Sequence, residues 1–287
     1  MKNRKRVLAT ACALCMLVAM LAPLTGIERV EAADIEEDLL SPLLMRSYVQ
    51  QEYEGGTLYV HPDWTCLYYI PHHTDENTAF MLYYCGGGEG EDYIYYSGLY
   101  HYFEDYQPNC IMVFTRESGY NWMYEKNRIM FNVLRHLAYD TGTTISRLSV
   151  TGSSAGCYTA MKAAAQYYTE YGIPVYSVCT FDTGLYWQDP QHNLTAEECQ
   201  TIADAGTMMF LFEEKDVTDS VPAIRQMIEY GVKTCIVGCE HENHSVISQN
   251  AYVYGLFSWS VGDDMTLPTE EYTMKWYDNH TYLNGIE

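Results

Sequence analysis

Basic residues are scarce in this chain: 16 Lys and Arg stand against 38 Asp and Glu over 287 residues, a net charge of −22. A polyanion approaching such a surface is repelled, which excludes nucleic acid and anionic membrane as partners. Phosphate-binding loops are missing as well. Gly86 to Gly90 is glycine-rich, yet it is neither a G-x-G-x-x-G opening a helix nor a loop followed by G-K-[ST]. Metal signatures fail in the same way. His241-Glu242-Asn243-His244 lacks the H-E-x-x-H spacing that puts two imidazoles on one helix face, and no C-x-x-C pair follows residue 32, so no metal and no organic cofactor is expected. No internal repeat or low-complexity tract is found.

The N-terminus is the exception to the acidic pattern. Lys2, Arg4, Lys5 and Arg6 precede an uncharged, mostly apolar run from Val7 to Ile27, and Val30-Glu31-Ala32 is a small-residue cleavage signal. This is the plan of a secretory signal peptide, with cleavage expected after Ala32 and no stable membrane partner afterwards. Cys12 and Cys15 lie in the run without a lipobox. Removing five basic and two acidic residues with the leader leaves 11 basic against 36 acidic, or −25. The remaining 255 residues are enough for one large α/β domain. Eight cysteines remain; several fall in apolar β-type runs and read as small buried hydrophobes, and no pairing is assigned. The 28 tyrosines are expected to pave the core with their hydroxyls reaching outward, or to form stacking platforms for sugar rings or aromatic substrates.

Residues 33–56 are acidic and poorly patterned, and read as a lead-in wrapping the domain edge. Thr57 to Val60 and Cys66 to Ile70, separated by His61-Pro62-Asp63, predict an antiparallel hairpin. Strands are expected at Ala79 to Tyr84, Ile111 to Phe114, Leu148 to Thr151, Val175 to Thr180, Met208 to Phe212 and, as the last, Thr234 to Val237. Helices are expected at Tyr124 to Tyr139, after Gly156, from a capping box at Thr195 and Glu198, from Asp219-Ser220 to Tyr230, and over Gln249 to Ser260. The alternation predicts an α/β fold: a mostly parallel central sheet with helices on both faces and antiparallel strands at the N-terminal edge. The domain is assigned to 57–261, with a tail of unassigned role at 262–287.

Gly152-Ser153-Ser154-Ala155-Gly156 is a G-x-S-x-G pentapeptide between a strand and an Ala-rich helix. That context lifts the middle serine to the apex of a sharp, strained turn, and the helix N-terminus aims its unpaired N–H groups at charge developing beside it. Ser154 is therefore the candidate nucleophile, while Ser153 should point into packing. A serine hydroxyl needs a base to take its proton. His241 and His244 follow the last expected strand, and His244, on a polar loop leading to the final helix, is preferred. An acid must orient that imidazole. Asp216, after the strand ending near Phe212, is the first choice, and Asp182 in Phe181-Asp182-Thr183-Gly184 the alternative. Bare N–H groups of Gly87 and Gly88, with that of Ala155, could bind an oxyanion.

Glycine loop, nucleophile turn, acid and histidine, in that order and each after a strand, resemble the α/β-hydrolase superfamily over residues 57 to 261. Its glycine loop is often H-G-G-G; this chain has Cys85 where that histidine would stand. Tyr84-Cys85-Gly86-Gly87-Gly88 and Asp182-Thr183-Gly184-Leu185-Tyr186-Trp187 are similar to the carbohydrate-ester hydrolases of the pectin acetylesterase and Notum type. The resemblance implies a secreted serine esterase acting through an acyl-enzyme on small-molecule or polysaccharide-linked esters, with acetyl or feruloyl groups as candidates. A serine peptidase of the same fold and a non-catalytic, glycan-binding hydrolase-like protein are the alternatives. Oligomeric state is not assigned.

Overall fold

The computed structural model describes residues 42–86, 103, 109–116, 123–181, 193–214, 221–239 and 272–277. They form a ten-stranded sheet flanked by five helices. The chain enters through a single helical turn, α1 (Leu43–Arg46), and an edge strand, β1 (Tyr48–Glu52). β2 (Gly56–Val60) and β3 (Cys66–Pro71) follow as the expected hairpin, with Val60 opposite Leu67. β4 (Ala79–Tyr84), β5 (Cys110–Thr115), β6 (Leu148–Ser153), β7 (Val175–Phe181), β8 (Met208–Glu214) and β9 (Lys233–Cys239) run parallel to one another, and β10 (Tyr272–Tyr277) closes the far edge antiparallel to β9.

Strand order is β1-β2-β3-β5-β4-β6-β7-β8-β9-β10. The chain thus steps outward from β4 to β5 and then returns to place β6 on the other side of β4. At such a switch point the connections leaving adjacent strands diverge and open a crevice at the carboxyl ends. The fold therefore puts its natural site at the ends of β4 and β6.

Strand alternation divides the sheet into two faces. Tyr68, Ile70, Phe80, Leu82, Tyr84, Ile111, Val113, Leu148 and Val150 lie in one core with α1, α2 (Met123–Thr141), α3 (Gly156–Tyr171), α4 (Ala196–Asp204) and α5 (Val221–Glu229). On the opposite face Leu67, Tyr69, Met81, Tyr83, Met112 and Phe114 are also buried, and Phe103, from the connection between β4 and β5, stacks on Tyr69 at a ring separation of 4.5 Å. Sheets buried on both sides read as continuous apolar runs rather than alternating ones, as β3, β4 and β5 do here.

Two parts of the sequence reading change. The segment 33–56 is not merely a lead-in: residues 48–52 join the sheet, hydrogen-bonded to β2. Four of the five β1 residues are exposed, so no apolar alternation announced a strand. The strand at Thr234 is also not the last, because β10 lies within the segment taken as a tail. The expected helix over Gln249 to Ser260 and residues 1–41 lie outside the described residues. Seven cysteines, Cys66, Cys85, Cys110, Cys157, Cys179, Cys199 and Cys235, are buried. Burial pushes the thiols of Cys66 and Cys199 up to about 12, which leaves them unreactive at neutral pH.

Candidate active site

The turn from β6 into α3 is built by exclusion of volume. A Cβ on Gly152 would come within 2.7 Å of the Cys157 nitrogen and closer still to the Gly156 carbonyl. One on Gly156 would come within 2.7 Å of the Cys85 carbonyl oxygen and closer still to that of Tyr84. Real Cβ atoms do not make such approaches, so both outer positions of the pentapeptide must be glycine. The second contact also means that the first turn of α3 presses on the carboxyl end of β4, the strand that leads into the triple glycine.

Within this turn Ser154 has φ of 45°, the left-handed region that costs a residue with a side chain about 1–3 kcal/mol. Its N–H donates to the Phe181 carbonyl of β7 at 3.0 Å, and its own carbonyl accepts from the Cys157 N–H at 3.1 Å. The strained apex is therefore fixed from both sides. Ser153 is fully buried at the end of the strand, whereas Ser154 is partly open to solvent. The Ala155 N–H comes next, before the first residue of α3, and among the described residues it has no hydrogen-bond partner. A buried N–H without an acceptor is a donor waiting for one.

Cys85, immediately after β4, is held by a residue that sequence reasoning missed. Its N–H donates to the Thr115 hydroxyl oxygen at 3.2 Å, and that hydroxyl lies 3.7 Å from the Cys85 sulfur, with both side chains buried. Thr115 is the final residue of β5, so the neighbouring strand end clamps the start of the glycine loop. Below it, a buried network ties β4 to both central helices. The Tyr84 hydroxyl donates to Asn127 Oδ1 at 2.6 Å, Asn127 Nδ2 donates to Gln166 Oε1 at 3.1 Å, and the Tyr167 hydroxyl donates to the Asn127 carbonyl at 3.0 Å. All three bonds are buried, so the network rigidifies the core.

A second anchor lies further along α3. Lys162 is 2 % exposed, and its ammonium donates to both Glu198 oxygens at 3.1 and 2.9 Å and to the Asn193 carbonyl at 2.8 Å. Glu198 also completes the capping box, accepting from the Thr195 N–H at 2.7 Å, and accepts from the Tyr124 hydroxyl at 2.7 Å. Burial opposes ionisation of that carboxyl, but the bonds from Thr195, Tyr124 and Lys162 together outweigh it and hold its pKa below the ordinary value. Lys162, which reaches from α3 to Glu198 on α4, gave no signal in sequence.

Of the expected site residues, Ser154 and Ala155 stand together at the carboxyl end of β6. Gly87, Gly88, Asp182, Asp216 and His244 lie outside the described residues. The strands before them all finish on the same edge of the sheet: Gly87 follows the end of β4 by three residues, Asp182 immediately follows β7, Asp216 follows β8 by two residues and His244 follows β9 by five.

No protein-family model and no curated protein matches the sequence. Solved structures do match. The chain is similar to an S-formylglutathione hydrolase from Agrobacterium tumefaciens at 14% identity and a TM-score of 0.54, over 76% of this chain and 100% of that one. It is similar to MPT51 of Mycobacterium tuberculosis at 11% identity and a TM-score of 0.52, over 76% and 98% of the two chains. It also resembles fungal esterases from Rhizomucor miehei at 15% identity and a TM-score of 0.50, over 74% and 79%. The chain has the α/β-hydrolase fold, a mostly parallel sheet with antiparallel strands at its N-terminal edge.

Proposed function

We propose that this protein is a secreted serine esterase, carried out of the cell by the leader ending at Ala32. The observation that carries the reading is the Ser154 turn: a solvent-reachable serine at φ of 45°, followed by a buried N–H with no partner, at the switch point of the sheet. Such strain persists only where the surroundings over-determine it, and it clusters at sites of chemistry.

In this reading the Ser154 hydroxyl attacks the carbonyl carbon of an ester while His244 takes its proton. The negative charge that develops on the carbonyl oxygen is met by the N–H groups of Ala155, Gly87 and Gly88. Collapse of the tetrahedral intermediate breaks the bond to the alcohol, which leaves with the proton from His244, and the acyl group stays on Ser154. Water then attacks the acyl-enzyme, giving its proton to His244, and the carboxylic acid departs as Ser154 recovers its proton. Asp216 holds the imidazole in the accepting tautomer and stabilises the imidazolium. No metal and no organic cofactor enters these steps. Acetyl or feruloyl groups on polysaccharide fit an exported protein whose acidic surface turns away polyanions.

A fluorophosphonate probe tests the nucleophile. Wild-type protein should be labelled and should hydrolyse p-nitrophenyl acetate, while Ser154→Ala should be unlabelled and slower by roughly 10⁴-fold or more. Equal labelling of both proteins, or none of the wild type, rejects the reading in favour of a binding protein. Asp216→Asn should abolish turnover and Asp182→Asn should not; the reverse result transfers the role to Asp182. Sequencing the N-terminus of exported material should find a chain beginning at Ala33.

A further inference from the structure

The carboxyl edge of the sheet continues past Ser154 to an exposed aromatic step. Thr115 on β5 pairs with Cys66 on β3, and the Arg116 N–H donates to the Thr65 carbonyl one residue beyond, so Trp64 rises above the end of β3. Following the register through Phe114, Tyr83 and Thr151 brings Thr115 level with Gly152, and Trp64 therefore level with Ser154. The two stand three strand spacings apart, about 14 Å along the edge. Tyr48, at the start of β1, lies further out in the same direction, its ring 6.3 Å from that of Trp64 with 35° between the planes.

These rings are open where most of the described aromatics are buried: Trp64 is 52 % exposed and Tyr48 58 %. Trp64 also has φ of 58°, a costly conformation for so bulky a residue. The indole is held in place. Arg116 donates to the Trp64 carbonyl at 3.1 Å, and its guanidinium lies 5.0 Å from the ring centroid. The guanidinium is thus engaged with the indole and its backbone.

We propose that Trp64 and Tyr48 form a subsite that stacks a sugar ring of a neutral polysaccharide, placing its ester-bearing unit at Ser154; the proposal rests on the esterase reading above. A pyranose presents a flat face of C–H groups and a rim of hydroxyls. An exposed aromatic ring covers the first and leaves the second in water, which suits this open step. A lipid chain needs an enclosed apolar groove to gain comparable burial. A polyanionic glycan or anionic lipid would meet the field of a chain carrying −22.

Binding without turnover tests this separately from the chemistry. Full-length protein carrying Ser154→Ala is titrated calorimetrically with soluble unsubstituted xylan, mannan and β-glucan fragments, and with polygalacturonate and anionic vesicles. At least one neutral glycan should bind. Adding Trp64→Ala should weaken that binding by roughly tenfold or more, Tyr48→Ala by less, and Trp64→Phe should restore most of it, with unfolding midpoints showing each variant folded. The subsite is overturned if no neutral glycan binds, if Trp64→Ala binds as well as its parent, or if polygalacturonate or vesicles bind more tightly. Failure of the serine chemistry would appear instead in the fluorophosphonate labelling of the wild type.

Discussion

Among the described residues only Ser154 and Trp64 take a positive φ without being glycine, and the molecule holds them in opposite ways. Ser154 is enclosed. Its N–H is bound to β7, its carbonyl to α3, and the glycines on either side are pressed against backbone with no room for a methyl group. Trp64 sits on a hairpin turn in solvent. Its N–H donates to the His61 carbonyl at 2.8 Å, the His61 N–H donates to the Cys66 carbonyl at 3.0 Å, and its ring meets Arg116 and Tyr48. Strain at the first site is imposed by the whole sheet, and at the second by one local turn. The first should therefore resist added side-chain volume and transmit damage, while the second should accept substitution and lose only what its ring touches.

The largest effect is expected where the enclosure is tightest. Gly156→Ala drives a methyl group into the Tyr84 and Cys85 carbonyls, so either α3 or β4 must move, at about 4 kcal/mol or more. Urea unfolding should show that loss or a protein that does not fold; a cost under 1 kcal/mol would mean the turn yields easily. Lys162→Ala leaves Glu198 without its buried cation and should cost about 3 kcal/mol. The same pair gives a pH signature. Because the folded pKa of Glu198 is depressed, its contribution is present above the unfolded value near ~4.3 and fades as pH falls through the lower folded value. Glu198→Gln should flatten that acid limb in a pH series of unfolding midpoints. Thr115→Val strips the acceptor from the buried Cys85 N–H and should cost about 1–2 kcal/mol. If the glycine loop binds the oxyanion, it should also lower kcat on p-nitrophenyl acetate several-fold with KM little changed.

The enclosed region was the more legible of the two. Pentapeptide, preceding strand and following helix are contiguous, and the glycines reveal themselves because no other residue fits. The Thr195 and Glu198 capping box was equally local, and both of its bonds are present. What escaped detection depends on contacts between distant segments. Lys162 meets Glu198 across 36 residues, and Thr115 meets Cys85 across 30, with nothing in either neighbourhood to announce the partner. Edge strands were missed for a related reason. β1 is solvated and carries no apolar alternation, and β10 gains its hydrogen bonds from β9, more than thirty residues earlier. The Trp64 turn was read as a hairpin connection only, because neither left-handed backbone nor ring exposure is written in His61-Pro62-Asp63.

Replacing each strained residue by glycine sharpens the comparison with the smallest effects. Glycine removes the φ penalty at either position, and a more flexible unfolded chain takes back part of the gain. Ser154→Gly should therefore raise stability by about 1 kcal/mol while removing the proposed nucleophile, since the surrounding hydrogen bonds run through the backbone and survive the change. Trp64→Gly relieves the same kind of penalty but forfeits the Arg116 and Tyr48 contacts, each worth about 0.5–1 kcal/mol at an exposed site, so its net shift should lie within about 0.5 kcal/mol of zero. Thermal midpoints of the two variants beside wild type decide the matter. A Trp64→Gly protein destabilised by 2 kcal/mol or more would show that the indole holds the turn together, and the local reading of that strain would fall. A near-neutral result would mean that the fold does not require a half-exposed tryptophan in a left-handed turn.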